Sequence, residues 1–98
     1  MPDSKKAILM NKKDNVAMAL FPIEKNNSVS VFYNNEKAAE LCALEDIELY
    51  HKIAIKPIQK GDLVFKYGEI IGKATDNIKV GQHVHINNIE SVMTKNEN

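Results

Sequence analysis

The chain has 98 residues, 44% of them hydrophobic and 27% charged, which fits one folded domain with a thin core and excludes disorder throughout. Thirteen lysines balance thirteen acidic residues and there is no arginine, so the basic excess that nucleic acid or an anionic membrane surface would demand is missing. The single cysteine, Cys42, excludes an internal disulfide scaffold, and no apolar run is long enough to cross a bilayer as a helix.

Residues 1–5 read as a loose tail without the apolar stretch of a signal peptide, so a cytoplasmic setting is expected. Residues 6–92 read as one domain and 93–98 as a second loose tail. Lys6 to Met10 forms a short apolar strand. Asp14-Asn15 then leads into Val16-Ala17-Met18-Ala19-Leu20, where small residues alternate with larger ones and predict burial on both faces. Ser28 to Tyr33 alternates cleanly between polar and apolar, and so do Lys52 to Lys56, Leu63 to Tyr67 and His83 to Asn87. Short strands with frequent punctuation predict an all-β domain. One stretch, Asn35 to Leu49, is open to two readings: a helix capped by Asn34 or Asn35, or a hairpin with Asn34-Asn35 at its tip.

A frame recurs through this pattern. Ile58-x-x-Gly61-x-x-Val64 matches Ile78-x-x-Gly81-x-x-Val84, and Ile23-x-x-Asn26-x-x-Val29 is a looser copy. Gly and Asn are the residues that best tolerate a left-handed backbone. Each copy therefore predicts a tight turn anchored by a buried Ile and followed by a strand with an inward Val.

Few residues carry chemistry. On a strand, His83 and His85 would share one face with Asn87, leaving Val84 and Ile86 to the core. Two such histidines can share a metal with a third ligand such as His51, or they can simply face water. Asp14-Asn15 is a pair that commonly opens turns and can also offer polar contacts. Lys66 can meet an anionic substrate, whereas Tyr67 shares the face of Leu63 and Phe65 and is expected to pack. Cys42, among apolar residues, is expected to be a buried, inert thiol. No complete catalytic set is visible, so the chain reads as a small β module that acts with something larger.

Two stretches carry a family likeness: Asp14-Asn15-Val16-Ala17-Met18-Ala19-Leu20, and a longer one from His51-Lys52-Ile53-Ala54-Ile55 to His83-Val84-His85-Ile86-Asn87-Asn88. The longer one passes through Ile58-Gln59-Lys60-Gly61, Lys66-Tyr67-Gly68 and Ile71-Gly72-Lys73-Ala74-Thr75. Together they resemble the SAF domain of altronate and galactarate dehydratases and of the related sulfolactate sulfo-lyase. The resemblance implies a β-clip fold, in which strongly bent strands form a small all-β domain. It also implies a lyase that removes water, or sulfite, from a hydroxy acid. This chain would be the small subunit, completing the active site of a separate large catalytic subunit that acts on a sugar acid. His51, His83 and His85 would be its catalytic side chains, and Asp14, Asn15, Lys66, Asn87 and Asn88 its substrate contacts. No cofactor is expected on this chain alone, and a divalent metal of the iron or manganese type would belong to the full complex. The family's usual histidines are replaced here by Asn11 and Asn87, neither of which can carry a proton near neutral pH. The alternative reading is a non-catalytic β-clip module that binds a small ligand or a protein. The resemblance favours the hairpin over the helix after Asn34.

Overall fold

A computed structural model describes residues 5–91, so most of both expected tails lies outside the described residues. Among the described residues nine strands form two sheets. They are β1 (Lys5–Ile8), β2 (Val16–Ala19), β3 (Ser28–Tyr33), β4 (Glu36–Cys42), β5 (Lys52–Ala54), β6 (Leu63–Lys66), β7 (Glu69–Ala74), β8 (His83–Val84) and β9 (Ile89–Glu90). The larger sheet runs β4-β3-β1-β2-β5-β8 and the smaller β6-β7-β9. β1 and β3 pair in parallel, and the remaining pairs are antiparallel. The all-β expectation holds, and the segment after Asn34 is a hairpin. Asn34 and Asn35 sit at its tip with φ of 53° and 67°, the two left-handed residues that a tight β-hairpin requires.

The recurring frame is the organising unit, and the structure contains one more copy than the sequence reading found. The fourth is Ile47-x-x-Tyr50-x-x-Ile53. All four anchors are buried (Ile23, Ile47, Ile58 and Ile78), and so are the strand residues that follow, Val29, Ile53, Val64 and Val84. The turn residues Asn26, Tyr50, Gly61 and Gly81 all have positive φ, at 77°, 68°, 92° and 94°. Four residues before each anchor stands a buried alanine: Ala19, Ala43, Ala54 or Ala74.

The copies associate in pairs. Ile23 and Ile47 exchange backbone hydrogen bonds in both directions at 2.8 Å; Ile58 and Ile78 do the same at 2.9 and 2.6 Å. Within the first pair, the Asn26 N–H donates to the Ala43 carbonyl and the Tyr50 N–H to that of Ala19, both at 2.8 Å. Within the second, the Gly61 N–H donates to Ala74 and the Gly81 N–H to Ala54, both at 2.9 Å. A turn backbone thus lies directly on each alanine, where a larger side chain would hold it off. Each pair is an approximate two-fold unit with its own apolar cluster. One cluster gathers Ile23, Val29, Ile47 and Ile53, the other Ile58, Val64, Ile78 and Val84. β2 and β5 form the wall between them: Ala17 and Ile53 face the first cluster, Val16 and Ala54 the second. The burial on both faces expected for Val16 to Leu20 holds at Val16, Ala17 and Ala19, whereas Met18 and Leu20 are only half-buried.

Several local expectations give way to tertiary structure. The last predicted strand stops at Val84, because the chain turns over His85 to Asn88, with the Asn88 N–H on the His85 carbonyl at 2.9 Å. Ile86, expected in the core, is therefore 83% exposed, and Asn87 is an exposed turn residue that does not share the histidines' strand face. Tyr67, expected to pack, takes a positive φ of 60° at the β6–β7 turn and is exposed. Cys42 is exposed rather than buried, because it ends an edge strand with its side chain on the open face. Among the described residues there is no helix long and apolar enough to cross a membrane.

Candidate functional site

The three histidines converge. His51 directly follows the left-handed Tyr50 in the turn anchored by Ile47, whereas His83 and His85 leave the turn anchored by Ile78 through β8. Pairing of Ile53 with His83 across β5 and β8 brings the two turns side by side at the junction of the paired units. His51 Nδ1 lies 2.8 Å from His83 Nε2, a hydrogen-bond distance. The rings are nearly parallel, with centroids 5.0 Å apart for His51–His83, 4.4 Å for His51–His85 and 5.3 Å for His83–His85. One ring nitrogen from each falls within 4.8 Å of the others.

Backbone anchoring holds this cluster. The Glu45 carboxylate accepts from the His83 N–H at 3.1 Å and from the Gln82 side-chain amide at 3.3 Å. Asn88 is almost fully buried; its oxygen accepts the His85 N–H at 2.9 Å and its NH2 donates to the His83 carbonyl at 2.8 Å. Expected as a substrate contact, Asn88 instead spends both ends of its amide fixing the two histidines. Glu48 Oε1 stands 3.4 Å from His51 Nε2. The His83 pKa is lowered, first by burial and then by the neighbouring His51 and His85 charges, while Glu45 and Glu48 pull the other way. A neutral, unprotonated ring is thereby favoured at His83.

The other sequence candidates form a second locus. Asp14 is completely buried, and its two oxygens accept the N–H groups of Tyr67 and Gly68 at 2.9 and 2.7 Å. Its carboxylate holds the left-handed β6–β7 turn. Asn15 reaches β6 like one more rung of sheet: it donates to the Leu63 carbonyl at 3.0 Å and accepts the Phe65 N–H at 2.9 Å. Lys66 places its ammonium 5.3 Å from the centre of the Tyr67 ring. Its charge is the second cause, after burial, of a lowered pKa at Lys52. Asn11, at the position where the family resemblance expects histidine, packs against this turn. A Cβ on Gly68 would come within 2.7 Å of the Asn11 side-chain nitrogen.

Glu45, Glu48 and Lys52 are the residues the sequence reading missed. The signal for the two glutamates was the fourth frame copy, which places them on either side of an Ile anchor next to His51. A tyrosine at the turn position hid that copy.

A model of the altronate/galactarate dehydratase SAF domain matches residues 5–92. Altronate dehydratase of Bacillus subtilis is 33% identical over 87 residues, which is 89% of this chain but only 16% of that protein. Altronate dehydratase of Escherichia coli is 38% identical over 81 residues, covering 83% of this chain and 15% of its own length. The alpha subunit of (2R)-sulfolactate sulfo-lyase from Paracoccus pantotrophus is 45% identical over 51 residues, 52% of this chain and 76% of that subunit. With a matching model over nearly its whole length and an all-β fold across its described residues, the chain belongs to the SAF-domain family of altronate and galactarate dehydratases.

Proposed function

We propose that this chain works in the cytoplasm as the small subunit of a sugar-acid lyase. It completes the active site of a separate large catalytic subunit that dehydrates an aldonate or aldarate to a 2-keto-3-deoxy acid. The observation that carries the reading is the convergence of His51, His83 and His85, from turns of both paired units, on one half-exposed patch. Loss of water from such an acid requires removal of the proton α to the carboxylate and departure of the β-hydroxyl, so a base and an acid must flank the substrate. Three imidazoles held by backbone contacts can supply polar contacts and proton carriers at that junction. A divalent metal of the iron or manganese type, working on the enediolate, belongs in this reading to the full complex. The sulfo-lyase relative supports the division into subunits, since it is itself an alpha subunit and is covered over 76% of its length. Lys66 and Lys52 give the second locus the cations that a substrate carboxylate needs.

The test is reconstitution with a large subunit, assayed against aldonates, aldarates and sulfolactate. The chain alone is expected to be inactive. His51→Ala and His85→Ala should each lower turnover of the saturated complex by about tenfold or more. Their effect on stability should stay within about 0.5 kcal/mol, as for most exposed substitutions. Turnover by the chain alone would refute the subunit reading. Full activity of both variants would make the chain a non-catalytic binding module.

A further inference from the structure

The histidine cluster is more than a polar patch, because the fold gives these side chains no structural task that accounts for them. In the other three turns the residue at the His51 position closes its own turn. Asn27, Asp62 and Gln82 accept the N–H of Glu24, Gln59 and Lys79 at 3.0, 2.9 and 2.6 Å. His51 sends its ring across to His83 and His85 instead. Glu45 and Asn88 secure His83 and His85 through their backbone atoms, which leaves the rings to do something else. Among the described residues, no protein group bonds to Nδ1 of His83 or to either ring nitrogen of His85.

The spacing suits a shared ion. Two imidazoles on one zinc-type ion, each at the usual ~2.0–2.1 Å, have nitrogens roughly 3.3 Å apart in a tetrahedral shell. The 2.8 Å contact between His51 and His83 and the 4.8 Å limit for the whole set bracket that value. The rings stand nearly parallel, so their in-plane lone pairs converge on one ion only after rotation about the soft terminal torsions. Glu48 Oε1 lies 3.4 Å from His51 Nε2, close enough that a small shift of this exposed carboxylate lets it accept the Nε2–H and leave the Nδ1 lone pair turned inward. A carboxylate behind a histidine is the usual outer partner that orients a metal ligand. Three nitrogens without an oxygen donor favour a borderline transition ion over magnesium or calcium.

We propose that His51, His83 and His85 bind one divalent transition ion of the zinc or ferrous class, with Glu48 orienting His51. The rings are half-exposed, so coordination positions stay open on the solvent side. This reverses the sequence-based expectation that the chain alone holds no ion. It also changes the part the rings play in the lyase reading: with an ion bound they act as its ligands rather than as proton carriers, and the proton transfers fall to other groups of the complex.

The experiment titrates the chelator-treated chain, with no partner and no substrate, with Co(II) and then with Zn(II). One Co(II) per chain should bind, with the visible d–d absorption of a low-coordinate site, and Zn(II) should displace it. Each single His→Ala variant should weaken binding by about 100-fold, and Glu48→Gln by about tenfold, as expected for loss of a ligand and of its outer partner. Lys73→Ala, on β7, should bind as the parent does. Circular dichroism reports whether each variant is folded. Should a variant fail to fold, Co(II) added to the parent chain must broaden the ring resonances of all three histidines selectively. No saturable binding up to about 1 mM (about 4 kcal/mol of binding free energy), binding indifferent to the histidines, or broadening elsewhere would overturn the proposal. Because no turnover is read, failure here leaves the lyase reading to its reconstitution assay.

Discussion

Three of the four turns and the turn that carries His51 are built on one plan and differ at two positions. In the three, the left-handed residue is Asn26, Gly61 or Gly81, the types for which that backbone is least costly. The next residue then caps its own turn. In the fourth, a tyrosine takes the left-handed position at φ 68°, and the cap is replaced by a histidine that leaves for the cluster. A bulky residue at positive φ costs on the order of 1–2 kcal/mol, and a missing cap leaves further stabilisation unused. The turn that breaks the local rules is the one that reaches the candidate site. Burial of Ile47 and Ile53 and the bonds to Ile23 and Ala19 hold it in place despite those costs.

If Ile47 anchors its turn as Ile58 does, Ile47→Ala and Ile58→Ala should each destabilise by about 2–5 kcal/mol. A melt of Ile47→Ala close to that of the parent would separate the fourth copy from the others. The two glycine turns sharpen the comparison next. A Cβ at Gly81 would fall 2.1 Å from the Cys42 carbonyl oxygen, whereas at Gly61 it would meet nothing within 4 Å. Their φ values, 94° and 92°, are nearly the same. Gly61→Ala should therefore show backbone strain alone, about 1 kcal/mol. Gly81→Ala should add about 1–3 kcal/mol of overpacking. Equal denaturant midpoints for the two would show that the Cys42 contact relaxes freely.

A smaller effect is expected when the odd turn is made regular. His51→Asn restores the side chain that caps the first turn and should be neutral or stabilising by about 0.5–1 kcal/mol. The same change should cost the reconstituted lyase about tenfold or more in turnover. Destabilisation by His51→Asn beyond about 1 kcal/mol, outside the range of an ordinary surface change, would mean that the histidine cluster itself supports the fold. Smallest of all, Tyr50→Gly should relieve the left-handed strain and raise stability by a few tenths to about 1 kcal/mol. The gain is limited because the glycine also loosens the unfolded chain. A lower melting temperature would instead assign the tyrosine a packing role that its 63% exposure does not suggest.

Alternation and the Ile-x-x-Gly frame were enough to read an all-β domain, three of its turns and their buried anchors, because period-two burial and left-handed glycines are local properties. The pairing of His83 with His85 was legible for the same reason. β7 was not: Glu69–Ala74 has no clean alternation, and pairing with β6 and β9 defines it. The fourth turn escaped because a tyrosine stood where the pattern called for glycine or asparagine. Asp14 looked like a ligand contact, since nothing nearby in sequence shows that the Tyr67 and Gly68 amides will enclose it. The sequence by itself determined where the chain bends and which side chains go inward. Which turns meet, which polar groups are consumed in holding them, and that His51 arrives beside His83 and His85 depended on contacts between residues far apart in the chain. No local preference encodes those contacts.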